Sequence, residues 1–335
     1  MPRKPPSPHD ALVKEGFSVP EHAAAELKAV LPVALAESIE WATLRIESGS
    51  FVDKALEQSH SDLLYSVRLQ NEQALLYVLY EHMSETDARL PLRVLRYQLR
   101  ILERWARQHS DTPLPLPPVI AVVLHHSESG WRGATDLHSL FGDLPQRIPA
   151  IKPYLPQCQF LLDDISRLSD DQLLARAMGA IPTLVLVALR DSRSGDKILR
   201  TLVNFAEQVR QLATEPLGPD ALTTLYCYIS GVTECSPEAV GQTFIEIEPA
   251  TESYVMTAAQ ILEQRGFDKG IVQGKAEGVA LGKAEVLERQ LTRRFGALSA
   301  ETREQLHKSS AAELELWTDR VLFADSLDAV FVEAK

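Results

Sequence analysis

The stretch that most constrains the fold is Ser61 to Met83, SDLLYSVRLQNEQALLYVLYEHM. Two apolar, alternating runs, Leu63–Leu69 and Ala74–Tyr80, flank the polar tetrad Gln70-Asn71-Glu72-Gln73. Alternation bounded by such a turn signal predicts a β-hairpin. With the turn centred between Asn71 and Glu72, Asp62 lies opposite Glu81. Opposed side chains in an antiparallel pair sit roughly 5 Å apart at Cβ, so two carboxylates there repel unless a proton or a cation lies between them. Met83 is two residues beyond Glu81 and shares its strand face. An acid opposite an acid, with a third residue two further on, is a skeleton for metal-dependent phosphodiester hydrolysis.

Around this hairpin the chain reads as helix, three strands, helix, strand. His9–Phe17 begins a helix, and Ser18-Val19-Pro20-Glu21 has the spacing of a capping box opening a second, to about Val30. Trp41–Phe51 reads as a strand, Thr86–His109 as a long helix, and Val119–Leu124 as a further strand after the breaker LPLPP. In the long helix Arg89, Arg93, Arg96, Arg100, Arg104 and Arg107 fall on one stripe, basic in an otherwise acidic chain. Such a stripe is either a solvated face paired with acids from elsewhere or a contact surface for phosphate. Leu92, Leu95, Leu99, Leu102 and Ala106 form a second stripe, expected to pack on the sheet. His125 and His126 follow the last strand. Adjacent strand residues face opposite ways, so at most one could join a site, and an ordinary strand end is the plainer reading. Trp131 is expected in the core.

Residues 140–250 read as helical, with Ser169-Asp170-Asp171-Gln172 as a capping box and no catalytic spacing. Asp163-Asp164 and Asp170-Asp171 are expected in loop and cap positions, where aspartate is ordinary. Further on, Gly270, Gly274, Gly278 and Gly282 recur every four residues. Each glycine inside a helix costs roughly 1 kcal/mol against alanine, and small residues at that spacing permit close helix approach. The charged residues among them exclude a membrane version of the motif, and the spacing is not that of a phosphate-binding loop. A soft helical linker or self-association is expected there, and Ser310 to Glu313 has the spacing to cap a last helix. The division anticipated is a core over 1–140, a helical subdomain over 141–250 and a helical C-terminal module over 251–335.

The net charge of −12 excludes a general cationic coat for nucleic acid but not a local basic surface. Cys158, Cys227 and Cys235 show neither paired nor zinc-type spacing, which fits a reducing compartment. The first residues, MPRKPPSP, lack the apolar segment of a secretion signal, and no apolar run is long enough to span a bilayer. A cytoplasmic protein with no membrane partner is expected. No nucleophile elbow, dinucleotide fingerprint or zinc pattern is present.

Several motifs in order resemble those of the Rpn (YhgA-like) recombination-promoting nucleases, described also as transposase-like, in the PD-(D/E)XK nuclease superfamily. They are His9-Asp10, Leu31-Pro32, Gly49-Ser50-Phe51-Val52-Asp53, Ser61 to Tyr65, Leu76 to His82, Leu92 to Tyr97, and Val119 to Val123. The resemblance implies an α/β fold with a restriction-endonuclease-like αβββαβ core and added helices. It implies a Mg2+-dependent DNA endonuclease (Mn2+ as a substitute) that promotes recombination, with DNA as partner and self-association through the C-terminal helices. By that likeness Asp62 and Glu81 are catalytic and bind the metal, with the carbonyl of His82 as third ligand, and Arg93 and Arg96 take part in the site; with Arg100 of the same stripe they are expected to bind DNA. Met83 stands where the family has glutamine and the wider superfamily lysine. A thioether has no hydrogen to donate, so the alternative is a catalytically impaired DNA-binding or assembly protein on the same fold.

Overall fold

The computed structural model describes residues 8–47, 63–81, 87–111 and 114–331. Three helices, α1 (Pro8–Phe17), α2 (Pro20–Val30) and α3 (Val33–Ser38), precede the strands β1 (Ile39–Ile46), β2 (Leu63–Leu69) and β3 (Glu72–Glu81). Helix α4 (Leu90–Gln108) then crosses to β4 (Val119–His125), and β5 (Leu161–Asp164) follows after short helical turns that include α5 (Leu144–Arg147). The five strands form one sheet in chain order. β1, β2 and β3 are antiparallel neighbours, whereas β4 and β5 run parallel to β3. The helix–three strands–helix–strand order is as expected, and β5 is an addition to it. Residues 140–250 are therefore not wholly helical. Four residues, LLDD, are too few to display a two-residue period, and only pairing with β4 defines them as a strand.

The hairpin register differs from expectation by two residues. Leu69 pairs with Glu72 and Leu63 with Val78, where a turn between Asn71 and Glu72 would set Leu63 against Tyr80. The reason is a two-residue turn in which Gln70 and Asn71 both take positive φ, 48° and 70°. This turn matches the twist of the flanking strands, and asparagine tolerates it well. Glu40 of β1 holds it by accepting the Asn71 N–H at 2.7 Å.

Helix α4 also turns differently. Leu90, Val94, Tyr97, Ile101 and Trp105 form its buried face, packed with Leu64, Leu75, Tyr77, Ala121 and Val123 of the sheet. The stripe expected there is only partly used: Leu95 packs against the same core, whereas Leu92 and Leu99 are each 52% exposed. Both stripes have helical spacing. The sheet takes the one carrying the aromatic rings, which bury more apolar area than leucine.

The opposite sheet face is lined by α1 and α2, and the helices after β5 pack on these and on one another. The later helices are α6 (Asp170–Leu174), α7 (Ala180–Asp191), α8 (Gly195–Asn204), α9 (Ala206–Thr214), α10 (Gly218–Val232) and α11 (Pro237–Ile247). Helix α7 is the centre of this layer, with every residue but Arg190 buried. The buried hydroxyl of Tyr65 donates to the Phe17 carbonyl at 2.6 Å, tying the hairpin to α1. The capping box predicted at Ser169 is formed. The one predicted at Ser18 is not: α2 starts after Val19, with Pro20 in its first turn and no side-chain cap.

Contacts divide the chain into two units, residues 1–259 and 260–335. The division falls within the long helix α12 (Glu252–Phe295). In the second unit α13 (Ala300–Lys308), α14 (Ala311–Arg320) and α15 (Leu327–Phe331) build a small core with the end of α12 around Leu287, Leu291, Leu306, Leu314 and Trp317. The Ser310 capping box is formed at α14. The repeated glycines are helical, and a Cβ at Gly270, Gly274, Gly278 or Gly282 would meet nothing within 4 Å.

Candidate functional site

The carboxyl ends of the parallel strands meet at one edge of the sheet, the usual position for a site in sheets of this kind. There Glu81 is the register partner of His125, and His125 of Asp164. Three titratable residues thus end three neighbouring strands in one row.

His125 is 1% exposed and stands edge-on to the Trp131 indole, 5.0 Å between ring centres. Asp164 is half-buried. Its Oδ2 accepts the Trp131 N–H at 2.7 Å and its Oδ1 the Ser166 N–H at 3.1 Å. Burial opposes its charge, but the Ser166 and Trp131 hydrogen bonds and the neighbouring His125 together outweigh it. The carboxyl is held below the usual aspartate range. Gly130 closes the loop around this group at φ +72°, and a Cβ there would lie 2.7 Å from Arg167 Nε and 3.0 Å from Asp164 Oδ2. Arg167 in turn donates to the Ser129 carbonyl at 2.8 Å.

The two adjacent histidines do part to opposite faces. Buried His126 lies 5.9 Å from the His9 ring of α1, and His9 Nδ1 is hydrogen-bonded to the Tyr228 hydroxyl at 2.9 Å. Burial raises the Tyr228 phenol above its ordinary value, against a smaller opposing pull from Arg193. Trp131 is half-buried against the α4-side core rather than deep within it.

Helix α4 runs back from this edge. Arg93 forms an ion pair with Asp87 at 3.1 Å. Arg96 is exposed, with its guanidinium 5.8 Å from the Tyr97 ring centre, and Arg100 is half-buried. Among the described residues Arg89, Arg96, Arg100 and Arg107 form no ion pair. Of the other predicted site residues, Glu81 closes β3, while Asp62, His82 and Met83 lie outside the described residues. Among the described residues no group of three or more histidine, cysteine, aspartate or glutamate side chains could hold a metal.

Asp163-Asp164 is not the loop pair expected from sequence. Both residues lie in β5, one on each face. Asp163 Oδ1 pairs with Arg176 Nη2 at 2.6 Å, and the same guanidinium binds Glu26 Oε1 of α2 at 2.6 Å. Burial, then the adjacent Asp163 carboxylate, push the Glu26 carboxyl well above the ordinary glutamate value, against the pull of Arg176. This clamp joins α2, β5 and the segment after α6 on the face away from α4. Asp164, Trp131 and Gly130 carry no local signal that associates them with the hairpin, because only the β4–β5 pairing brings them there.

A family model described as "Putative transposase, YhgA-like" matches residues 7–216. The recombination-promoting nuclease RpnD of Escherichia coli O157:H7 is 31% identical over 225 residues, 67% of this chain and 81% of that protein. The recombination-promoting nuclease RpnC of Escherichia coli K12 is 30% identical over 265 residues, 78% of this chain and 83% of its own. The inactive recombination-promoting nuclease-like protein RpnE of the same strain is 28% identical over 277 residues, 81% of this chain and 86% of its own. No solved structure matches the chain.

Proposed function

This chain belongs to the YhgA-like family, and on that premise we propose that it is a Mg2+-dependent DNA endonuclease that promotes recombination, built on a PD-(D/E)XK core. The observation that carries the reading is the row Glu81–His125–Asp164, at the end of the sheet where β2 begins with Leu63, next after Asp62. The five-stranded mixed sheet with its hairpin and α4 crossover is consistent with the proposed core.

In this reading Asp62 and Glu81 hold the ion through hard carboxylate oxygens, with the His82 carbonyl as a further ligand. When bound, a divalent ion lowers the pKa of its water and relieves charge on the scissile phosphate. Arg93, Arg96 and Arg100 position the DNA by its phosphates. Met83 offers no donor to the attacking water or the developing charge. The cation side chains of α4 and the residual ligand pair are what remain to support cleavage.

A relative named inactive, together with Met83, favours a second reading: a binding protein that keeps the fold without the chemistry. Nicking of supercoiled plasmid with Mg2+ or Mn2+ separates the two. Cleavage by the wild type that is absent in Asp62→Ala supports the nuclease. Cleavage by Met83→Gln alone means an intact scaffold disarmed at one position. No cleavage by either supports the binding protein.

A further inference from the structure

The loop over residues 127–133, which leaves β4 beside the row, is tied down at four points. The Ser127 N–H donates to Ser166 Oγ at 2.8 Å, and the Ser129 carbonyl accepts from Arg167 Nη2 at 2.8 Å. The Trp131 N–H donates to Asp164 Oδ2 at 2.7 Å, and the Trp131 indole N–H to the Gly133 carbonyl at 2.8 Å. The backbone is therefore held on both sides of Arg132. Its own side chain is exposed and makes no hydrogen bond or ion pair among the described residues. Arg167, just after β5, is exposed as well. It lies against Gly130, where a Cβ would meet its Nε at 2.7 Å, and among the described residues it too is in no ion pair.

The acid beside Arg167 does not neutralise it. Asp164 gives Oδ2 to the Trp131 N–H and Oδ1 to the Ser166 N–H, so both of its oxygens hold backbone. Two guanidinium groups thus stand at the end of the sheet on backbone that is already ordered. A guanidinium presents paired, planar N–H donors that match phosphate oxygens. Ordering the loop in advance removes a cost that a slack loop would meet on binding.

We propose that Arg132 and Arg167 form a clamp for the phosphate backbone of DNA, holding phosphates that flank the scissile one. The clamp belongs to the nuclease reading and rests on it. Asp164 stands two strands from Glu81 in the sheet, about 10 Å at the usual strand spacing. Phosphates advance about 3.4 Å per nucleotide along one strand of a duplex, so the clamp meets the backbone within a few nucleotides of a phosphate at Glu81. Arg132 reads no base and touches no reacting atom, so it is a positioning residue. Its loop is a different element from α4, and its contribution adds to that of Arg93, Arg96 and Arg100.

Titration of a fluorescently labelled duplex with the full chain over a salt series tests the clamp. It is run on the wild type with divalent metal chelated and on Asp62→Ala with Mg2+, so that the strand stays intact. In both, Arg132→Ala is expected to weaken binding by about three- to tenfold and to lower the slope of log K against log salt by about 0.9, the share of one phosphate. Arg132→Lys keeps the charge and should keep the slope, with part of the affinity lost for want of a planar fork. Arg167→Ala added to Arg132→Ala should bring the fall in slope to about 1.8. Arg210→Ala, at an exposed arginine of α9, should change neither quantity. The melting temperature of Arg132→Ala should equal that of the wild type, whereas an arginine serving only the fold would lower it. A slope unchanged by Arg132→Ala, or lowered equally by Arg210→Ala, overturns the clamp and leaves the nuclease reading standing. A protein that binds no duplex under either condition removes the DNA reading and the clamp with it.

Discussion

Glu81, the last residue of β3, is the register partner of His125, the last residue of β4. The pair is made by a parallel crossover through α4, so residues 44 positions apart end side by side. A carboxylate at the end of a strand becomes useful when its neighbours are polar and the edge is open to a substrate.

Divalent metal should bind through Asp62 and Glu81. Mg2+ or Mn2+ is expected to raise the melting temperature of the wild type, and Asp62→Ala and Glu81→Ala should each abolish that rise. Binding by mass action gives roughly 2.7 kcal/mol at a hundredfold excess over Kd, which is easily read. Chelator should reverse the effect in the wild type and leave the variants unchanged. An equal rise in all three proteins would remove these residues from the metal site.

Neutralising Arg93, Arg96 and Arg100 together should weaken DNA binding and flatten its salt dependence. Every phosphate that an arginine no longer neutralises lowers the slope of log K against log salt by about 0.9 on duplex DNA. Titration of a labelled duplex at several salt concentrations gives that slope. An unchanged slope would mean that α4 does not touch the backbone.

Glu26 should make stability depend on pH. Its carboxyl is raised in the folded protein by burial and by Asp163. A raised carboxyl favours folding while protonated. That contribution is complete below the ordinary value of 4.5 and is lost as pH rises through the raised one. Glu26→Gln keeps the shape and removes the titration, so its melting temperature should rise relative to the wild type's between pH 5 and pH 8. Parallel melting curves across that range would show that the Arg176 clamp compensates the charge fully.

Two glycines should respond in opposite ways to alanine. Gly130→Ala places a Cβ at φ +72° and 2.7 Å from Arg167 Nε, and should destabilise the fold by about 1–3 kcal/mol. Gly278→Ala meets open space inside a helix and should stabilise α12 by up to about 1 kcal/mol. Denaturant unfolding of the two variants measures both. A stabilising Gly130→Ala would mean that the loop around Asp164 can relax.

The sequence by itself determined the local elements. Alternation marked β2 and β3, a helical period marked α4, and Ser169 and Ser310 announced their helices, because these signals act between residues only a few positions apart. It also carried the family, through short motifs in a set order. The tertiary structure decided what distant residues do to one another. Two stripes on α4 were equally periodic, and the sheet selected the aromatic one, leaving Leu92 and Leu99 exposed. The turn at Gln70-Asn71 moved the hairpin register by two positions, a choice of backbone twist that a polar tetrad does not specify. β5 exists because β4 offers it an edge, and with it come Asp164 beside His125 and Asp163 in the Arg176 clamp. Periodicity is a property of one segment. Register and burial are properties of two segments in contact, and only the folded chain holds that information.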